Sequence, residues 1–225
     1  MSTIDTLPEP SPAEPLPATK PKRARASRLA PEARRAQLLA CAIRVFAREG
    51  IGHANHTQIA AEAGVSLPAV FSYFPTHEDL TRAVLDYVSR FMLEQLIMPR
   101  QTGARSAPSE IEGTLLGFAD LIESDRDICR VWLDWSTAVR GASWPAYLEH
   151  HAKVCTLFEA TIERGKAAGE VAPEINTADA AWVSIGLGHM ISHMKFAGHS
   201  KKCIRRAVGS LVASYFHNDA PSAPS

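Results

Sequence analysis

The sequence lacks the features of a membrane, secreted or disulfide-stabilised protein. No apolar run approaches the roughly 20 residues that a membrane-spanning helix needs, and the N-terminus has no apolar core typical of a secretion signal. The four cysteines are scattered and form no Cys-x-x-Cys pair, which favours reduced thiols over a disulfide framework. These absences predict a cytoplasmic protein with no membrane contact.

Catalytic motifs are absent as well. The sequence contains no Gly-x-Ser-x-Gly, no glycine-rich phosphate loop and no His-Glu-x-x-His. Paired carboxylates with an evident partner are also missing. We therefore predict that the chain is not an enzyme and that it has no resident cofactor or metal.

Positive charge is concentrated near the N-terminus. The formal net charge is zero, yet residues 20–35 contain seven basic residues against one acid, Glu32. The basic residues are Lys20, Lys22, Arg23, Arg25, Arg28, Arg34 and Arg35. The rest of the chain is therefore acidic, and any attraction to an anionic partner is centred on this basic segment.

Proline content separates two tails from a helical centre. Residues 1–19 include five prolines among small polar residues, so we expect this segment and residues 218–225 to be disordered tails. Between them apolar residues recur at helical spacing, which predicts an all-α protein of about nine helices. The expected helices lie near residues 31–49, 57–63, 66–74, 76 onward, 109–123, 126–140, 144–168, 178–196 and 201–216. Pro31 suits a first helical position, and Thr76 followed by Asp79 predicts a capped start of the fourth helix. Pro99, Gly103 and Pro108 predict a break around residues 98–108.

Residues 57–74 have the pattern of a helix-turn-helix. Gly64 would adopt the left-handed turn, and Ser66 can cap the third helix because its hydroxyl can accept from free amides in the first turn. The residues expected to pack inward are Ile59, Ala60, Ala63, Val65, Val70 and Phe74. The residues expected to face outward are Leu67, Pro68, Ala69, Ser72 and Tyr73. This pattern fits a DNA-reading helix and also a plain packed helical turn.

A resemblance to a known protein family favours the interpretation as a DNA-reading helix. Phe46, Gly50, Ile59-Ala60, Ala63-Gly64-Val65-Ser66, Phe74, Pro75 and Glu78-x-Leu80 resemble the N-terminal signature of the TetR family. Gln37-Leu-Leu, Gly50-Ile-Gly, residues 70–80, Val131-Trp-x-x-Trp-Ser-Thr, Arg140 and Trp144-Pro resemble the LuxR/HapR-type quorum-sensing regulators of vibrios. The similarity spans roughly residues 20 to 165, is strong in the first third, and weakens in the last two helices.

The resemblance implies a TetR-like homodimer that binds double-stranded DNA. Residues 20–75 would form a basic arm and a helix-turn-helix domain, and residues 76–217 a ligand-binding and dimerisation domain. Thr57, Ser66, Tyr73 and His77 would hold phosphates, and Leu67, Pro68 and Ser72 would approach base edges. The chain departs from the vibrio pattern at Ser72, where Asn is usual, and at His77, where Lys or Arg is commoner. Phe71 also replaces a tyrosine common in the wider family.

The basic segment has two interpretations. Lys22, Arg23 and Arg25 could form an arm that enters the adjacent minor groove, where arginine favours the narrow geometry of A·T-rich DNA. The alternative is a solvated flexible tail.

A cluster of aromatic residues in the second half is either plain core or the wall of a ligand pocket. The cluster consists of Trp132, Trp135, Trp144 and Tyr147, with Asp134, Ser136, Thr137 and Arg140 beside it. Since the TetR body usually contains a pocket, the resemblance favours a site for an unidentified small organic effector. Phe71, Phe74 and Tyr87 would close it from the DNA-binding side.

The last two predicted helices suggest a dimer interface. A stripe of small residues on helix 178–196 (Ala181, Ser184, Gly188, Ser192) would let two backbones approach closely. The final helix adds Ile204, Val208, Leu211 and Tyr215 at matching spacing, which predicts a four-helix interface between two subunits. His189 and His193 have the spacing of two metal ligands. Hydrogen-bonded imidazoles are the favoured alternative, because no further ligand is evident.

Three functions remain open at this stage. The first is a nucleoid-associated global quorum-sensing regulator, which activates and represses genes from pseudo-palindromic operators. The second is a local TetR-type repressor of an efflux or catabolic operon, released by a small-molecule effector. The third, an interaction protein without DNA binding, is disfavoured by the basic segment.

Overall fold

The computed structural model describes residues 30–216 of the chain. The predicted tails, 1–19 and 218–225, and the basic residues Lys22, Arg23 and Arg25 lie outside the described residues. In the described part, none of the helices combines the length and the apolar character needed to cross a membrane.

Nine α-helices and no strand occur between residues 30 and 216, which confirms the predicted fold class. The helices are α1 Pro31–Glu49, α2 His56–Ala63, α3 Leu67–Phe71, α4 His77–Phe91, α5 Ala107–Ser124, α6 Arg126–Thr137, α7 Trp144–Ala167, α8 Thr177–Phe196 and α9 Lys201–Phe216. The predicted end of α6 is wrong, because this helix ends at Thr137 and not near residue 140. The chain turns there, and the Gly141 amide donates to the Ala138 carbonyl at 2.8 Å.

The first three helices share one apolar core. Phe46 of α1, Ile59 of α2 and Val70 of α3 are buried together. Full burial of such side chains contributes about 1.5–3 kcal/mol each. Because α2 and α3 are too short to be stable as isolated helices, this shared core holds them in place.

Helix α4 connects helices α1 to α3, the front unit, to helices α5 to α9, the body. Its start is capped as predicted, since Thr76 Oγ1 accepts from the Asp79 amide at 3.0 Å. Beyond Phe91 the helix continues as a π-helical turn, Met92–Ile97, and a short 3-10 turn, Met98–Arg100. The sequence predicted the break near residue 98 but not the π turn, which has no residue signature of its own. Such turns are frequent at functional sites.

Helix α5 is central to the body and packs against α7, α8 and α9. Its residue Glu110 is buried, with 1% of its surface exposed. The carboxylate accepts from the amides of Thr102 and Gly103 at 3.1 and 2.7 Å and from Arg164 Nη2 at 2.7 Å. Glu110 therefore ties the connection before α5 to α7.

Candidate nucleic-acid interface and ligand cavity

Caps at both ends of α2 set the path of the chain into α3. At its start, Asn55 Oδ1 accepts from the Gln58 amide at 3.1 Å and Gln58 Oε1 accepts from the Asn55 amide at 3.0 Å. At its end Gly64 adopts the predicted left-handed conformation, with φ of 65°. The reciprocal Asn55–Gln58 pair was missed in the sequence, although Asn-x-x-Gln before an apolar run is a known signature of a helix start.

Helix α3 is fixed through its inner face and open on its outer face. Val70 and, just beyond the helix, Phe74 are buried, with 0% and 1% of their surfaces exposed. The exposed residues on and around α3 are Ser66, Leu67, Pro68, Phe71 and Ser72. Thr57 is exposed at the start of α2, and Tyr73 is half-buried. The side chains predicted to reach base edges are therefore on one accessible surface.

Two details of the prediction for α3 are wrong. Ser66 occupies the cap position, but its hydroxyl accepts no hydrogen bond from the first turn. The helix ends at Phe71 and not at Phe74, because Ser72 starts a turn in which its hydroxyl donates to the Ala69 carbonyl at 2.8 Å. Ser66 is exposed and its hydroxyl does not cap the helix, so this hydroxyl is accessible to a phosphate.

Two histidines connect the start of α2 to the segment that joins α3 and α4. His77 Nε2 donates to the Ala54 carbonyl at 2.8 Å, and His56 Nε2 donates to the Phe74 carbonyl at 2.8 Å. A neutral His77 ring has no second N–H to offer, so in that form it cannot donate to a phosphate as predicted. His56 is buried and stacks on Phe71 with ring centroids 4.3 Å apart, and nothing in the sequence marked it.

Positive charge lies beside α3 and not on it, because the residues of α3 carry no charge. Arg34 lines a groove between the start of α1 and α3, together with Ser66 and Tyr73. The Arg35 guanidinium lies 5.2 Å from the centre of the Phe74 ring. The described positive charge nearest to α3 is therefore on α1, at the flank of α3.

A cavity of about 60 Å³ lies in the body, between the extension of α4 and helices α5 to α8. The rings that line it belong to Phe118, Trp132, Tyr147, His150, His151 and Phe158. Among its described lining residues none is Lys, Arg, Asp or Glu. The cavity is therefore apolar with a few uncharged polar atoms.

The two histidines of the cavity wall are uncharged near neutral pH. Burial lowers the pKa of His150 to about 4, and burial also lowers the pKa of His151. His150 Nδ1 lies 2.9 Å from Ser89 Oγ on α4, and His151 Nδ1 lies 3.4 Å from Cys155 Sγ. His150 thus connects the cavity directly to the helix that leads to the front unit.

Known proteins are similar to this chain in sequence and in fold. The model of a family described as bacterial regulatory proteins, tetR family, matches residues 38–84. The HTH-type transcriptional regulator LuxR of Vibrio harveyi is 35% identical over 156 residues, which cover 66% of this chain and 74% of LuxR. The chain belongs to the TetR family. It is a DNA-binding transcriptional regulator, and its relatives are regulators and not enzymes.

Solved structures of other proteins have the same fold at low sequence identity. A TetR-family transcriptional regulator from Agrobacterium tumefaciens has a TM-score of 0.72 at 14% identity, over 83% of this chain and all (100%) of the other. AibR, solved with isovaleryl coenzyme A and operator DNA, has a TM-score of 0.67 at 15% identity, over 81% and 98% of the two chains. TetR-family regulators typically bind DNA as dimers, and some bind small-molecule effectors.

Most of the residues predicted to line a ligand pocket lie elsewhere, although Trp132 and Tyr147 do border the cavity. Phe71 is exposed on α3, and Phe74 is in the core of the front unit. Tyr87 packs on Phe91, with ring centroids 6.1 Å apart. Asp134, Trp135 and Thr137 are not part of the cavity wall. Trp135 packs behind that wall, with its ring centroid 5.5 Å from that of the lining residue His150.

Three of the residues that were wrongly predicted to line the pocket form hydrogen bonds that hold α6 in position. Trp135 Nε1 donates to the Ser143 carbonyl at 3.0 Å, and the Thr137 hydroxyl donates to the Asp134 carbonyl at 3.1 Å. Asp134 Oδ2 accepts from the Ile51 amide at 2.8 Å, which links α6 to the front unit. Periodicity could not show this contact, because 83 positions separate the two residues.

Most of the predicted dimer-interface residues are inside a single subunit. Ala181, Gly188, Ser192 and Val208 are buried, so placing them at a surface between subunits was wrong. The small residues let α8 approach α5 instead, and a Cβ on Gly188 would lie 3.8 Å from the Phe118 ring. Leu211 is 42% exposed, as an interface residue of the free subunit should be.

The exposed apolar residues of α8 are on another face of that helix. Trp182 and Val183 are 59% and 37% exposed in the single chain. For His189 the sequence left open a metal ligand or a hydrogen-bonded imidazole. The second is observed, since His189 Nδ1 donates to the Ile185 carbonyl at 3.1 Å. Small residues allow close approach to any neighbour, and the sequence alone could not say which neighbour α8 has.

Proposed function

We propose that the protein acts as a homodimer whose two α3 helices enter successive major grooves of a pseudo-palindromic operator. Residues 20–75 would form the DNA-binding unit and residues 76–217 the ligand-binding and dimerisation unit. The observation that carries this proposal is the exposed outer face of α3, fixed from behind by buried Val70 and Phe74. Leu67, Pro68 and Ser72 would read bases, while Thr57, Ser66 and Tyr73 would contact phosphates.

We further propose that the regulator is a global quorum-sensing regulator that acts on the nucleoid in the cytoplasm. The resemblance to LuxR/HapR-type proteins and the 35% identity to LuxR of Vibrio harveyi support this. The second candidate is a local repressor released by an effector, which the body cavity favours. Genome-wide mapping of binding sites distinguishes the two, since many scattered sites indicate a global regulator and one site beside its own gene indicates a local repressor.

The basic segment is proposed to act as an arm on DNA. Deleting residues 1–28 removes five of the seven basic residues between Lys20 and Arg35. We expect operator affinity to fall and the salt dependence to flatten by about one unit of log–log slope per lost phosphate contact. Deleting residues 1–19, which contain no Lys or Arg, is the matched control and should change neither quantity. An unchanged slope after the longer deletion would show that the segment is a solvated tail.

The exposed apolar face of α8 is proposed to pair with a second copy of the chain, together with Leu211 of α9. Val183→Asp would bury an unpaired carboxylate at this interface, so we expect a dimer-to-monomer change at micromolar concentration in sedimentation. Val139, which is 61% exposed on the loop after α6, gives the matched control Val139→Asp, which should remain dimeric. A monomeric wild type, or a dimeric Val183→Asp, would contradict this placement.

A further inference from the structure

The lining of the body cavity restricts the charge of any ligand it can hold. A charged ligand loses its hydration on entry and needs an opposite charge or several hydrogen bonds in return. The described lining has no Lys, Arg, Asp or Glu, and its two histidines are held by Ser89 and Cys155 at their Nδ1 atoms. The wall therefore favours an uncharged ligand and offers nothing to the phosphates of a coenzyme A ester.

The size of the cavity restricts the ligand further. A volume of about 60 Å³ has room for only a few water molecules. Pockets for organic molecules usually measure about 300–1,000 Å³, so a ligand larger than a few atoms has to displace part of the wall. One part of that wall, Met92, Leu96 and Ile97, belongs to the π-helical extension of α4.

A rigid connection runs from this wall to the DNA-binding unit. Helix α4 starts at His77, which is bonded to Ala54, and it carries Ser89 twelve residues later, about 18 Å along the helix. Ser89 Oγ is 2.9 Å from Nδ1 of His150, whose ring lines the cavity. A ligand that moves His150 therefore acts on α4 through a single hydrogen bond.

We propose that the cavity binds an uncharged, compact, ring-containing ligand through a hydrogen bond to His150, and that His150 transmits its presence to α4 through Ser89. The aromatic side chains Phe118, Trp132, Tyr147 and Phe158 supply faces and edges for such a ring. This inference rests on the proposed effector-responsive function and adds the chemical class of the effector and the contact that carries its signal.

The ligand class is tested on the full-length chain with phenol, benzoate and isovaleryl coenzyme A as probes. Phenol and benzoate are similar in size but differ in charge near neutral pH, so calorimetry should give at least about tenfold weaker binding for benzoate. The indole N–H signal of Trp132, assigned with Trp132→Phe, should shift when phenol is added. His150→Phe keeps a ring but removes the nitrogens, and it should weaken phenol binding by about fivefold. No phenol binding, equal binding of benzoate, or binding of the coenzyme A ester alone would overturn the proposal.

The signal path is tested with Ser89→Ala, which leaves the cavity lining unchanged. Phenol should still bind this variant. The shifts that phenol causes in the amide signals of Leu67 and of residues 69–71 in the wild type should disappear. In parallel, saturating phenol should change the operator affinity of the wild type by about fivefold and leave that of Ser89→Ala unchanged. Equal responses of the two proteins would overturn the Ser89 step. If the wild-type protein binds DNA but not phenol, the proposed ligand class is wrong and the proposed regulator function is unaffected. If the protein binds phenol but no DNA fragment, the proposed regulator function is wrong.

Discussion

Replacing Ser72 with glutamate is expected to weaken operator binding by about 100-fold without unfolding the protein. Ser72 is exposed directly after α3, and its hydroxyl makes one local bond, to the Ala69 carbonyl at 2.8 Å. A carboxylate there would lie among the phosphates and acceptor-rich base edges of the major groove. Like-charge contacts in a binding interface cost several kcal/mol, and about 2.7 kcal/mol corresponds to this loss.

Fluorescence anisotropy with an operator duplex measures the effect, and chemical denaturation measures the stability. Thr156→Glu is the matched control, because Thr156 is an exposed residue on α7 in the body. The control should bind like the wild type, and both variants should unfold at nearly the same denaturant concentration. Wild-type affinity in Ser72→Glu would mean that α3 does not face the DNA.

Glu110→Ala is expected to lower the free energy of unfolding by about 3 kcal/mol. The buried carboxylate holds the amides of Thr102 and Gly103 and the guanidinium of Arg164, and the truncation leaves those donors without their acceptor. Loss of a buried charged partner typically costs about 3–5 kcal/mol. The lower end applies, because the Arg164 side chain is 44% exposed and can be hydrated.

Urea unfolding followed by circular dichroism checks this expectation. Glu112→Ala, two residues away on α5 at a half-buried position, is the control and should change the stability by less than about 1 kcal/mol. Glu110→Gln keeps one oxygen for the two amides and should give an intermediate loss. A stability of Glu110→Ala equal to that of Glu112→Ala would show that the bonds before α5 contribute little.

The helices and the exposed face of α3 could be predicted because local rules determine them. Pro31, Gly64 and the Thr76 cap mark helix ends, and these are backbone effects of single residues. The inward positions Val70 and Phe74 follow from spacing alone, so the exposed positions of Leu67, Pro68 and Ser72 follow as well. The ends of α5 to α9 were predicted within about three residues for the same reason.

Contacts between distant segments could not be predicted. The small-residue stripe of α8 was assigned to a second subunit, but it packs on α5, because periodicity gives a buried face and not its partner. The predicted pocket is an aromatic cluster around residue 135. Trp132 and Tyr147 of that cluster do line the cavity, but His150, His151 and the π turn after α4 line it as well. Trp135 and Asp134 instead bond to Ser143 and to the Ile51 amide, 8 and 83 positions away.

Selection of high-affinity sequences from a random DNA library by the wild-type protein shows whether two paired α3 helices read the DNA. We expect enrichment of a pseudo-palindrome whose half-site centres are separated by about one duplex turn, about 10 base pairs, or a multiple of it. Ser72→Glu should fail to enrich that sequence. Enrichment of no motif, or of a motif without twofold symmetry, would contradict a dimer that reads DNA through its paired α3 helices.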